Sequence, residues 1–70
     1  MTRDPTEIER RILEFIRSEI ADTGEAPTIR EIAAGVGLRS PSTVAYHLGR
    51  LEEGGYLRRE RGRNRAVRLT

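Results

Sequence analysis

What most restricts this chain is its punctuation: helix-start signals stand at Thr6, Thr28 and Ser40, and glycines follow each of the segments they open. Thr6 with Glu9, and Thr28 with Glu31, have the Thr-x-x-Glu spacing of a capping box, in which hydroxyl and carboxylate satisfy each other's otherwise unpaired helix-end amides. Ser40 followed by Pro41 is a preferred N-cap and first-turn pair. Gly24, Gly37 and the Gly54-Gly55 pair supply the stops. These signals predict helices over about 6–23, 29–36 and 41–53, and a chain cut this way can form only a small bundle.

The apolar pattern inside each segment says which face is buried. Ile8, Ile12, Leu13, Phe15, Ile16 and Ile20 occupy an arc of roughly 160° at helical period. Glu7, Arg10, Arg11, Glu14 and Arg17 make the other face a solvated one of mixed sign, with Glu7 and Arg11 a favourable i,i+4 pair. Ile29, Ile32, Ala33 and Val36 face inward in the second segment, and Val44, Leu48 and Leu51 at i, i+4, i+7 form the buried stripe of the third.

The remaining residues place Gly62 and Asn64 between two short candidate strands, Tyr56 to Glu60 and Arg65 to Leu69. Val67, Leu69 and Leu57 share one face, but Arg58, Arg59 and Glu60 in succession break the alternation. The expected fold is mainly α with a small β-hairpin, a three-helix winged helix-turn-helix, as one domain over 1–70 with its wing at about 56–69. The 36% hydrophobic and 34% charged residues suit one small core.

Several function classes are excluded on composition. There are no cysteines, and the single His47 has no partner at metal spacing, so no metal or other cofactor is expected. No apolar run approaches the ~18 residues of a membrane span, and the start MTRDPTEIE is no cationic signal region, so a cytoplasmic protein with no membrane partner is expected. The chain has neither an H-E-x-x-H pattern nor a glycine-rich phosphate loop, and Glu52 and Glu53 point about 100° apart on a helix, so no enzyme and no small-molecule ligand are expected.

Charge points to a polyanion. All thirteen basic residues are arginine, a pattern that either Arg's bidentate grip on phosphate and guanine or GC-rich codon usage would produce. Residues 1–38 hold five arginines against eight acids, net −3, and residues 39–70 hold eight against three, net +5, summing to +2. The second half is therefore the side expected to face nucleic acid.

On the third helix, the face opposite Val44, Leu48 and Leu51 carries Ser42, Ala45, Tyr46 and Gly49, flanked by Thr43 and Arg50. Small residues there would let the helix settle into a major groove, where Ser and Thr bond base edges and Ala or Thr methyls touch thymine. Two short helices joined by a turn, the second with such a face, make a helix-turn-helix, although a plain three-helix bundle fits this helix equally well. Arg61, Arg63 and Arg65 around the Gly/Asn turn add guanidiniums that suit phosphates or a narrow minor groove. Tyr46 is expected on the surface, Tyr56 packed at the strand start, and His47 half-buried.

The stretch APTIREIAAGVGLRSPSTVAYHLGRLEEGGYLRR resembles the DNA-binding domain of LexA repressors, with their PPTxxEIA, a glycine turn, a serine-rich recognition helix, HL, and LexxGxL before a wing. The resemblance covers nearly the whole chain. It implies sequence-specific binding to double-stranded DNA, with Ser40, Ser42, Thr43, Ala45 and Tyr46 at base-reading positions. It also implies Arg50 near the backbone, and Thr28, Arg30, Arg39, Arg61, Arg63, Asn64 and Arg65 are the further residues expected at backbone or wing positions. SPSTVAYHL resembles actinobacterial and other Gram-positive members more than the enterobacterial pattern, whose acidic residues are missing at Ala45 and Tyr46, so an enterobacterial-type CTGT half-site is not expected. LexA proteins carry a Ser/Lys self-cleavage domain, and with no lysine here that activity is not expected in this chain. The chain is then either an excised domain or a stand-alone regulator, monomeric or weakly dimeric when free and paired symmetrically on a palindromic operator. The rival reading is a winged-helix module for protein contact within a regulatory complex.

Overall fold

The computed structural model describes residues 4–59 and 67–69. Three helices, α1 (Glu7–Thr23), α2 (Ile29–Val36) and α3 (Pro41–Glu53), precede two strands, β1 (Leu57–Arg59) and β2 (Val67–Leu69). The molecule is mainly helical with one antiparallel hairpin, the architecture of a winged helix-turn-helix.

Both capping boxes form. The Thr6 hydroxyl accepts from the Glu9 amide at 3.2 Å while the Glu9 carboxylate accepts from the Thr6 amide at 3.0 Å, and Thr28 and Glu31 do the same at 3.1 and 2.7 Å. Two α-helices end on glycines in the left-handed region, Gly24 at φ 80° and Gly37 at φ 78°, where a side chain is strained. Ser40 caps α3 by accepting from the Ser42 amide at 3.1 Å, and Pro41 stands at the start, where a missing N–H costs no hydrogen bond.

One core joins all five elements: Ile12 and Ile16 from α1, Ile32, Ala33 and Val36 from α2, Val44, Leu48 and Leu51 from α3, then Leu57 and Val67. Leu13, Phe15 and Ile20 pack against it partly buried. The helix pair α1 and α2 meets closely because Gly35 has no side chain: a Cβ there would run into the Phe15 ring.

The hairpin pairs Leu57 with Leu69, Arg58 with Arg68 and Arg59 with Val67. Residues directly opposite share a face, so Leu57, Val67 and Leu69 lie on the core side together. Arg59 shares that side but is exposed, which explains the irregular charge pattern in the sequence. Tyr56 packs against the core, its ring 3.0 Å from where a Cβ on Gly54 would stand.

Two glycine substitutions should move stability in opposite directions. Gly49, inside α3, has open space where its Cβ would be, so Gly49→Ala should raise unfolding free energy by about 0.5–1 kcal/mol. Gly24→Ala, also with open space but at φ 80°, should lower it by about 1–2 kcal/mol. Urea midpoints shifting the same way for both variants would contradict these backbone assignments.

Candidate nucleic-acid interface

The face that α3 turns outward is set by the face it buries. Val44 and Leu48 are fully buried and Leu51 nearly so. At 3.6 residues per turn this leaves Ser42, Thr43 and Tyr46 exposed and Ala45 and Gly49 half-buried along the same helix. Tyr46, 62% exposed, is the one large hydrophobic residue so displayed among the described residues. The N-cap Ser40 is half-buried, and Arg39 stands exposed in the turn between α2 and α3.

Of the backbone candidates, Arg30 is exposed in the first turn of α2, and Thr28 caps that helix. The Glu31 carboxylate already holds the Thr28 amide, so a phosphate arriving there would meet an acidic group. Arg61, Arg63, Asn64 and Arg65 lie outside the described residues. Arg58 and Arg68, which the sequence reading did not single out, are exposed on the solvent face of the hairpin.

Arg50 has an engagement that spacing alone does not announce. Its Nε donates to Glu9 Oε2 at 2.8 Å, and His47 Nδ1 meets the same oxygen at 2.7 Å. Glu9 is a carboxylate only 2% exposed, inside a core otherwise built from apolar side chains. Its second oxygen takes the Thr6 amide, so both oxygens have donors. Burial pushes the Glu9 carboxyl up, but hydrogen bonds from His47, the Thr6 amide and Arg50, with the charge of Arg50, outweigh it and bring the pKa from 4.5 to about 2. Glu9 is therefore ionised at neutral pH and accepts only, so His47 Nδ1 carries the hydrogen in this bond. The same hydrogen bond, donated by Arg50 to Glu9, raises the Arg50 pKa against the opposing effect of burial.

Tyr46 completes the group. Its ring lies edge-on to His47 with centroids 5.2 Å apart and planes at 70°, and the Arg50 guanidinium stands 5.9 Å from its centroid. The sequence reading took Glu9 as a cap and His47 as a half-buried side chain. The missed signal was that Glu9 shares the helical stripe of Ile12 and Ile16, a charge at a core position that requires a partner.

Among the described residues no group of His, Cys, Asp and Glu is arranged to hold a metal ion, and no helix is long and apolar enough to cross a membrane. What the site offers is a helix with an exposed hydroxyl-bearing and aromatic face, preceded by a short helix and followed by a hairpin with outward arginines. That arrangement defines a winged helix-turn-helix DNA-binding domain. Residues 2–66 match the family described as LexA DNA binding domain, and the chain belongs to that family.

Similar proteins include the LexA repressor of Corynebacterium jeikeium, 58% identical over 84% of this chain, and that of Carboxydothermus hydrogenoformans, 51% identical over 87%. The LexA repressor of Clostridium acetobutylicum is 49% identical over 99% of this chain. The chain spans 22%, 30% and 32% of these three relatives' lengths respectively.

The Glu9 cluster has a pH signature. A carboxyl whose pKa falls from 4.5 to about 2 on folding contributes stability that is fully present above pH 4.5 and is lost as pH falls toward 2. Thermal midpoints of the wild-type chain should drop more steeply across that window than those of Glu9→Gln. Parallel curves for the two chains would contradict the assignment.

Proposed function

We propose that this chain reads double-stranded DNA sequence-specifically as the operator-binding part of a transcriptional repressor, with α3 in the major groove. The observation that supports this most is the outward face of α3. Ser42 and Thr43 present hydroxyls, Ala45 is small, and Tyr46 adds a ring and phenol, on a helix whose opposite face is locked in the core. Ser40 stands at the entry of the same helix. The names of the relatives as repressors support the regulatory role.

Backbone contacts fall to Arg30, Arg39 and Arg50 on the helical side, with Thr28 the weakest of that group because Glu31 occupies its amide. Arg61, Arg63, Asn64 and Arg65 are assigned to phosphate or minor-groove contact on charge and family resemblance. Two copies bind a palindromic operator as a symmetric pair, and the free chain is monomeric or weakly dimeric. Support for the weak free dimer comes from the core, which takes up the large apolar side chains and leaves only Tyr46 fully displayed among the described residues.

Binding to a duplex selected from a random pool should weaken log-linearly as salt rises, because counterions are released from the phosphates. Thr43→Ala or Tyr46→Ala should cost about 1–3 kcal/mol on the selected duplex where the residue makes a good base contact, and little on a scrambled one. Fluorescence anisotropy checks both. Affinity that stays flat with salt, or equal losses on both duplexes for folded variants, would count against α3 as the reading element.

A further inference from the structure

Tyr46 projects from α3 with its surroundings fixed by two side chains of the same helix, His47 edge-on to its ring and Arg50 one turn further on. Neither of these is free to move, because each bonds the same oxygen of the buried Glu9. Glu9 is itself anchored, its other oxygen accepting from the Thr6 amide at the start of α1. A continuous set of contacts therefore runs from the first turn of α1, through one carboxylate, to the aromatic ring on the reading face.

We propose that Glu9 is a positioning residue for DNA reading: from inside the core it sets the orientation of Tyr46 through Arg50 and His47. The proposal rests on α3 being the reading helix. Electrostatics alone gives Glu9 no favourable part in binding, since a carboxylate near the DNA-facing helix opposes attraction to phosphate whatever the base sequence. What it contributes is order. An arginine without an anchor samples many rotamers, whereas one held through Nε keeps its guanidinium plane fixed beside the Tyr46 ring.

Glu9→Gln separates these effects. Gln serves the capping box as Glu does, and His47 can accept from the Gln amide by changing tautomer. Arg50 has donors only, so its Nε loses its acceptor. The probes are a duplex selected from a random-sequence pool by the wild-type chain and a scrambled duplex of the same composition, compared by anisotropy at one salt concentration. The ratio of the two affinities should fall about tenfold in Glu9→Gln, roughly one contact's discrimination. Binding to the scrambled duplex should hold or rise slightly, because the chain gains one unit of positive charge. In a Tyr46→Ala background the same substitution should leave the ratio unchanged.

Circular dichroism melts establish that each variant is folded. Should Glu9→Gln not fold, Glu9→Gln with Arg50→Gln replaces the ion pair by two neutral amides; losing a backbone-contacting arginine weakens both duplexes by a common factor, and the ratio of the two affinities should still fall as in the single variant. A folded variant that keeps the wild-type ratio overturns the proposal. Equal losses on both duplexes overturn it too, by assigning Glu9 to stability alone. A wild-type chain that binds both duplexes equally removes the reading helix and this inference with it, an outcome visible before any variant is made.

Discussion

Val44, Leu48 and Leu51 recur along α3 at the spacing of a single helical stripe, and all three are sealed in the core with Ile12, Ile16 and Ile32. Because the helix repeats every 3.6 residues, burying that stripe leaves no choice about what faces outward. The hydroxyls of Ser42 and Thr43 and the ring of Tyr46 are displayed because the opposite side is apolar. Rotating α3 to hide them would expose three aliphatic side chains, each worth about 1.5–3 kcal/mol when buried. In a domain of this size that is a large share of the net stability.

Rotation about the axis is only one degree of freedom, and Glu9 acts on another. The carboxylate joins α1 to the outer half of α3 through Arg50 and His47, residues 41 and 38 positions away in sequence. Its placement in the core is tolerable because both oxygens accept hydrogen bonds and a guanidinium stands beside it. Core packing fixes which residues α3 shows, and this polar cluster fixes how some of them are held.

Much of this was legible beforehand, and for identifiable reasons. Caps and glycine stops act within four residues, so the three helices could be read from local spacing, and the core residues followed from periodicity. The hairpin was partly legible through Leu57, Val67 and Leu69, while the run Arg58-Arg59 hid the alternation because Arg59 takes a core-side position yet reaches solvent. Glu9 was legible as a cap but not as the partner of Arg50 and His47. That contact depends on how α1 crosses α3, which no local pattern encodes. The family resemblance supplied the expected reading positions but contained nothing about this cluster.

Under the proposed function the outer face of α3, and not the hairpin, carries sequence discrimination. Intermolecular nuclear Overhauser effects in a complex with a selected duplex test it most directly, since they report which side-chain protons lie near which base protons. Thr43 and Tyr46 should show contacts to base and thymine methyl protons in the major groove, with the hairpin residues near sugar protons. Base contacts arising from the hairpin, with α3 showing none, would contradict it.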